Sequence, residues 1–265
     1  MRAPEILMVE RDGIVTTRVI VSCDTSPLGT TAIDAAAALA RGLDAELKGI
    51  FVEDINLFRM AALPFTRDIA SATASASRLL PSEVQRVLEH QARSVRKVLA
   101  QVAAARSLPW SFQVIRGLPM GCVLEAMKEL DVAVFGHAGR YSARAPAPAS
   151  QGALAAQGVV MVVYDGSPAA HRALAAAQAL VQKTHHRLVI ATLGKSNGNT
   201  RARLEQSYAH ALFVTLKRRD AEAVRRAAGT FAPAVLLWGG LESEADRATV
   251  ATLVDALQCP VVLVT

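Results

Sequence analysis

Two short acidic motifs stand out by residue type and position: Asp24-Thr25-Ser26-Pro27 and Asp165-Gly166-Ser167-Pro168, each closing an apolar run and opening an Ala-rich one. An Asp two residues before Ser-Pro can accept hydrogen bonds from the first backbone amides of a following helix, so capping is one chemistry that this spacing explains unaided. Gly136 and Gly139 bracket His137 in a stretch suited to a tight turn, and an exposed loop His is the plain reading of that residue. His185 and His186 adjoin, which points them to different faces, and no Cys or carboxylate completes a metal set, so both read as surface residues. Ser167 lacks a Gly-x-Ser-x-Gly elbow, and Gly194-Lys195-Ser196 ends like a phosphate-cradling loop but has Val189 where the leading glycine belongs. Neither a catalytic triad nor a metal centre is expected.

Composition narrows the class further. The chain has 265 residues, 52% hydrophobic and 20% charged, enough for one large core or two small ones. Aromatics make up only 5%, which suits small side chains between helices and a mostly parallel sheet. Cys23, Cys122 and Cys259 are odd in number, far apart and set in apolar segments; they predict buried thiols in a reducing compartment, with the cytoplasm as the address. No apolar run reaches the roughly 20 residues that span a bilayer, and residues 1–17 mix Arg2, Glu5, Glu10, Arg11 and Asp12 into an extension unlike a signal peptide or membrane anchor. The net charge of +6 is dispersed, and its densest cluster, Lys217-Arg218-Arg219, runs at once into Asp220 and Glu222. With no helix-turn-helix, zinc or aromatic stacking motif beside it, that cluster reads as a solvated helix start and nucleic acid is not an expected partner.

The elements that must position these residues follow from short β-branched runs alternating with Ala-rich stretches, the pattern of parallel strands joined by crossover helices. The first half predicts strands at 18–23, 47–52, 111–115 and 132–136, with helices near 28–42, 82–106 and 119–129. The second predicts strands at 159–164, 187–192, 211–215, 234–238 and 260–264, with helices near 168–183, 200–209, 219–228 and 244–257. Continuous apolar runs such as Val132-Ala133-Val134-Phe135 suit strands buried on both faces. The repeated order, with Asp-x-Ser-Pro after each first strand, marks two related halves. The domains are therefore an extension at 1–17, a first unit at 18–140, a Pro- and Ala-rich linker at 141–157 and a shortened second unit at 158–265. The first unit has no fifth strand of its own. Residues 56–81 form a long excursion whose apolar part, Leu57 to Phe65, packs against something and whose small polar part, Ser71 to Ser77, is expected to be a flexible arm.

The strand, Asp-x-Ser and helix order, the Val52-Glu53-Asp54 strand end, Val114-Ile115-Arg116-Gly117-Leu118-Pro119, Asp131 through Arg140, and the final Cys259-Pro260-Val261-Val262-Leu263-Val264 together resemble the universal stress protein family. The resemblance covers residues 18–140 and 158–265. It implies an α/β fold of two doubly wound, mostly parallel sheets in tandem, related to the adenine nucleotide alpha hydrolases. It also implies, for some members, a nucleotide site at the carboxyl ends of the strands. By that resemblance Asp24 contacts the nucleoside, and a glycine loop carrying Gly136, Gly139 and Ser150 wraps the phosphates of ATP, with Mg²⁺ accompanying them. Glycines let backbone amides approach an anion closely, and Arg140 and Arg144 supply cations where Ala149 replaces a family glycine. The second unit keeps Asp165 but has Trp238-Gly239-Gly240-Leu241-Glu242 in place of the loop, and Glu242 and Glu244 repel phosphates, so no triphosphate is expected there.

Two functions remain open at this level. One is an adenine-nucleotide-binding stress-response protein that holds ATP without rapid turnover, a slow ATPase at most. The other is a nucleotide-independent regulatory module that binds an unknown protein partner through the 57–65 segment or the last strand. That strand also leaves open a homodimer or an internal pseudo-dimer.

Overall fold

The computed structural model describes residues 18–63, 67–70, 75–78, 80–128, 131–136, 158–184, 186–194, 198–241 and 243–265. Its centre is set by strands with no polar face. β1 (Arg18–Cys23), β6 (Val132–Phe135), β7 (Val159–Tyr164), β10 (Val235–Gly239) and β11 (Val261–Val264) are buried almost throughout, as apolar strands covered on both sides must be. Flanking them are β2 (Glu46–Asp54), β5 (Trp110–Gly117), β8 (Arg187–Leu193) and β9 (Leu212–Leu216). The order across the sheet is β5-β2-β1-β6-β11-β10-β7-β8-β9.

Each set of strands takes the same path: β5-β2-β1-β6 on one side and β9-β8-β7-β10 on the other, parallel within each set. β11 extends only the second set, and it pairs antiparallel with β6, Val261 opposite Phe135 and Val264 opposite Val132. The α/β class and mostly parallel pairing are as expected from sequence; in addition, the two sets join edge to edge in one nine-stranded sheet. β11 stands beside β6, at the side of the first set away from β5.

Helices cover both faces. α1 (Pro27–Gly42), α3 (Pro81–Ala105), α5 (Pro168–Thr184) and α6 (Gly198–Ser207) lie over one, and α4 (Pro119–Ala126), α7 (Ala221–Phe231) and α8 (Glu244–Ala256) over the other. The 25-residue α3 buries Val84, Leu88, Ala92, Val95, Leu99 and Ala103, a stripe at the three- and four-residue spacing of one helical face. α1 buries mainly alanines, and these small side chains bring it close to α5: a Cβ on Gly42 would sit 3.3 Å from Ala179. At the amino end of the seam Arg18 pairs with the buried Asp131, and the Thr265 hydroxyl donates to the Asp131 carbonyl at 3.2 Å.

Several local expectations change. The 56–81 excursion contains α2 (Ile55–Ala61), started by Asp54 accepting from the Asn56 amide at 2.9 Å, and a two-stranded antiparallel sheet of β3 (Arg67–Ala70) and β4 (Ser75–Arg78). A strand thus occupies part of the segment expected to be a flexible arm. Within it Leu57 and Phe58 pack against the core, as their apolarity requires. α4 stops at Ala126 because Met127 turns extended. His186 is not a surface residue: it is 4% exposed and packs beside Gly158, where a Cβ would lie 2.6 Å from its Nε2. His185 lies outside the described residues.

The seam makes a direct stability prediction. Leu263 is fully buried in β11, and Leu263→Ala removes its packing on both sides of the junction. Urea unfolding is expected to show a loss of about 2–5 kcal/mol.

Candidate ligand-binding crevices

An open α/β sheet forms a crevice where connections leave one strand in one direction and a neighbouring strand in the other, at the carboxyl ends. Here β1 lies between β2 and β6, and β7 lies between β8 and β10, so each set has one such point. Because β6 and β11 run antiparallel, the two crevices open at opposite ends of the sheet.

In the first crevice Asp24 follows β1 directly. Its Oδ1 accepts from the Ser26 amide at 2.7 Å, and the Ser26 hydroxyl oxygen accepts from the Gly29 amide at 2.9 Å. Ser26, not Asp24, is therefore the helix cap, and Asp24 builds the turn that presents it. The half-buried Asp24 carboxylate forms no ion pair among the described residues. Gly136 follows β6 and lies against the first turn of α1; a Cβ there would meet the Leu28 carbonyl at 2.8 Å. Close backbone approach thus accounts for this glycine. The structure brings Asp24 and Gly136 to opposite sides of one helix start, while Gly139, Arg140 and Ser150, with His137 and Arg144, lie outside the described residues.

The second crevice repeats the frame and inverts the charge. Asp165 Oδ1 accepts from the Ser167 amide at 2.9 Å, and the Ser167 hydroxyl accepts from the Ala170 amide at 3.1 Å. Gly239, at the end of β10, meets α5 as Gly136 meets α1, with a Cβ position 2.5 Å from Ala169 backbone atoms. Arg219, in the turn between β9 and α7, fills the space. Its Nε lies 3.2 Å from Asp165 Oδ2, Nη1 donates to Asp246 Oδ1 at 2.5 Å, and Nη2 donates to the Gly239 carbonyl at 2.5 Å. Its guanidinium carbon sits 4.3 Å from the Trp238 ring centroid. Beside it, the buried Tyr164 hydroxyl meets His171 Nε2 at 2.7 Å, and His171 Nδ1 lies 2.9 Å from the Ser167 carbonyl. A carbonyl only accepts, so Nδ1 carries a proton and donates to it. Arg172 Nε donates to the main-chain oxygen of Thr265 at 2.7 Å.

The basic triplet Lys217-Arg218-Arg219 reads as a solvated helix start, which fits Arg218, 83% exposed, but not Arg219 at 21%. The available signal was position: a cation placed just after the third strand of a set whose first strand ends in Asp. In the first set, Arg116 instead points to the sheet edge, donating to Glu53 Oε2 at 2.9 and 2.8 Å and stacking 4.0 Å above Phe58. A groove of about 350 Å³ near this edge is lined by Glu53, Glu89, Arg93, Arg96, Phe112 and Val114, none of them from β1 or β6.

The thiols are poor nucleophiles near neutrality. Burial, reinforced by the Asp24 charge, raises the Cys23 pKa, and burial pushes Cys259 up to about 12. Burial raises Cys122 as well. Among the described residues no three His, Cys, Asp or Glu side chains gather as a metal site, and no helix is long and apolar enough to cross a membrane. For an adenine nucleotide, the nucleoside end of the first crevice fits, since a half-buried carboxylate there keeps an oxygen outside the turn hydrogen bond.

Comparison with known proteins adds the fold. No family model and no curated protein matches the chain. A universal stress protein from Archaeoglobus fulgidus DSM 4304 has a similar structure, with TM-score 0.55 and 14% identity over 93% of this chain and 95% of that one. A member of that family from Burkholderia pseudomallei aligns over 41% of this chain and 96% of its own, at 21% identity and TM-score 0.32. A universal stress protein from Lactobacillus plantarum covers 66% and 96%, at 14% identity and TM-score 0.30. The Archaeoglobus structure shows that this chain has the universal stress protein fold.

Two outcomes follow from these geometries. With thiol pKa values raised, little thiolate exists near neutrality, so native protein at pH 8 is expected to alkylate first at Cys122, with Cys23 and Cys259 reacting only after unfolding; peptide mass spectrometry reads the order. Gly136→Ala forces a Cβ against the Leu28 carbonyl and is expected to cost about 1–3 kcal/mol in thermal unfolding, with or without ligand.

Proposed function

We propose that this chain is a stress-response protein of the universal stress protein type whose first crevice binds an adenine nucleotide and holds it without rapid turnover. The observation that carries this reading is the contrast between two equivalent carboxylates: Asp165 is ion-paired with Arg219, whereas Asp24 pairs with no cation among the described residues. A half-buried carboxylate at a switch point, free to accept from ribose hydroxyls, is the feature a nucleoside needs. Asp24 would hold the nucleoside, and Gly136, Gly139, Arg140 and Ser150 would hold the phosphates and their Mg²⁺. The units are 18–140 and 158–265, joined by the 141–157 linker and preceded by the 1–17 extension. They form an internal pseudo-dimer, a reading supported by the antiparallel β6–β11 pairing, and work in the cytoplasm.

A second reading, a nucleotide-independent module that binds a protein partner, is favoured by one feature. Met60, Leu63, Leu80, Val114 and Leu118 are all exposed, and they belong to α2 and its exit, the approach to α3, and the end of β5 with the residue after it. Large exposed apolar side chains of this kind are what a protein partner would cover if they form one patch.

Isothermal titration of nucleotide-stripped protein with ATP and Mg²⁺ separates the two. Micromolar binding that disappears in Asp24→Ala and in Gly139→Val is the expected result. No heat and no thermal stabilisation at millimolar ATP would overturn the nucleotide reading in favour of the partner-binding one.

A further inference from the structure

We propose that the second crevice is a guanidinium-binding cradle that the chain fills with its own Arg219. The cradle presents acceptors on three sides of a plane and an aromatic ring on its face. Asp165 comes from the turn after β7, the Gly239 carbonyl from the end of β10, Asp246 from the first turn of α8, and Trp238 from within β10. Apart from Arg219 the site offers two carboxylates and a carbonyl oxygen; with Arg219 in place the carboxylate side chains are 17% and 15% exposed. That set repels phosphates and selects a cation. A planar fork of N–H donors bonds to Asp246 and the Gly239 carbonyl with its two Nη groups and sets its charge beside Asp165, while its face rests on the indole; a compact ammonium cannot do both.

The occupant is delivered separately from the cradle. Arg219 lies in the turn between β9 and α7, with two strands between β9 and β10, and Asp220, next in the chain, caps α7 by accepting from the Ala223 amide at 2.9 Å. The cap fixes where the guanidinium enters. Asp246 has a second duty, since its carboxylate also accepts from the Ser243 hydroxyl at 2.7 Å, so the clasp is coupled to the start of α8. The same fold position in the first set has its aspartate and close-packed glycine but no inserted cation among the described residues. Among the described residues, therefore, one crevice is closed in cis and the other holds no inserted cation. This inference stands whether or not the first crevice binds nucleotide.

Chemical rescue tests it. Arg219→Ala is expected to lower Tm by about 5 °C or more, as expected for stranding two part-buried carboxylates. Millimolar methylguanidinium chloride is expected to restore at least half of that loss, while sodium chloride or methylammonium chloride at equal ionic strength restores little, and wild type shows no gain. Arg219→Lys keeps the charge without the fork; it is expected to melt below wild type and to gain less from methylguanidinium than the alanine variant. Rescue by sodium chloride equal to that by methylguanidinium would overturn the proposal. So would an alanine variant that melts with wild type. Should Arg219→Ala fail to fold, the lysine variant decides: melting together with wild type would overturn the proposal, and melting below it would support it.

Discussion

The short antiparallel ladder between β6 and β11 is the interaction on which the rest of the molecule depends. Both strands are apolar, four residues long and buried on both faces, so neither could leave its backbone donors and acceptors unpaired without a large desolvation cost. Their pairing turns two sets of parallel strands into one sheet and fixes the relative direction of those sets. It also brings α1 against α5 across the seam, where alanines and Gly42 permit the helices to approach. Arg18, Asp131 and Thr265 then tie down its polar end. The position of both crevices follows from this single pairing.

Equivalent frames in those crevices carry opposite electrostatic solutions. Each has an aspartate in a turn, a serine cap and a glycine pressed against a helix start. Burying a carboxylate without a partner is costly. In the second crevice the cost is offset by a guanidinium with two carboxylates, a carbonyl and an indole face around it. In the first, Asp24 is half-buried and pairs with no cation among the described residues.

Much of the fold was legible because its signals were strong and local. Runs such as Val159 to Tyr164 have no polar face, and Ser-Pro and Leu-Pro pairs marked helix starts almost to the residue. The β3–β4 hairpin was not legible, since Arg67-Asp68-Ile69-Ala70 and Ser75-Ala76-Ser77-Arg78 lack the β-branched alternation that marks strands. The joining of the two sets was half visible: the missing fifth strand could be counted, but which strand would take its place is a long-range fact. Asp24 and Gly136 were legible as neighbours through their motifs. Arg219 was hidden because Lys217 and Arg218 beside it are ordinary exposed cations, and His186 because single-residue burial depends on packing that sequence does not display.

The seam also governs the order of events in folding. β6 leaves the ribosome long before β11, with well over a hundred residues between the partners of the ladder. Throughout that interval the first set has a naked apolar edge, open to pairing with any other extended segment. Such a distant closure makes folding slow and exposes the nascent chain to aggregation. The β6–β11 pairing thus ties completion of the first set's edge to the end of the chain's synthesis.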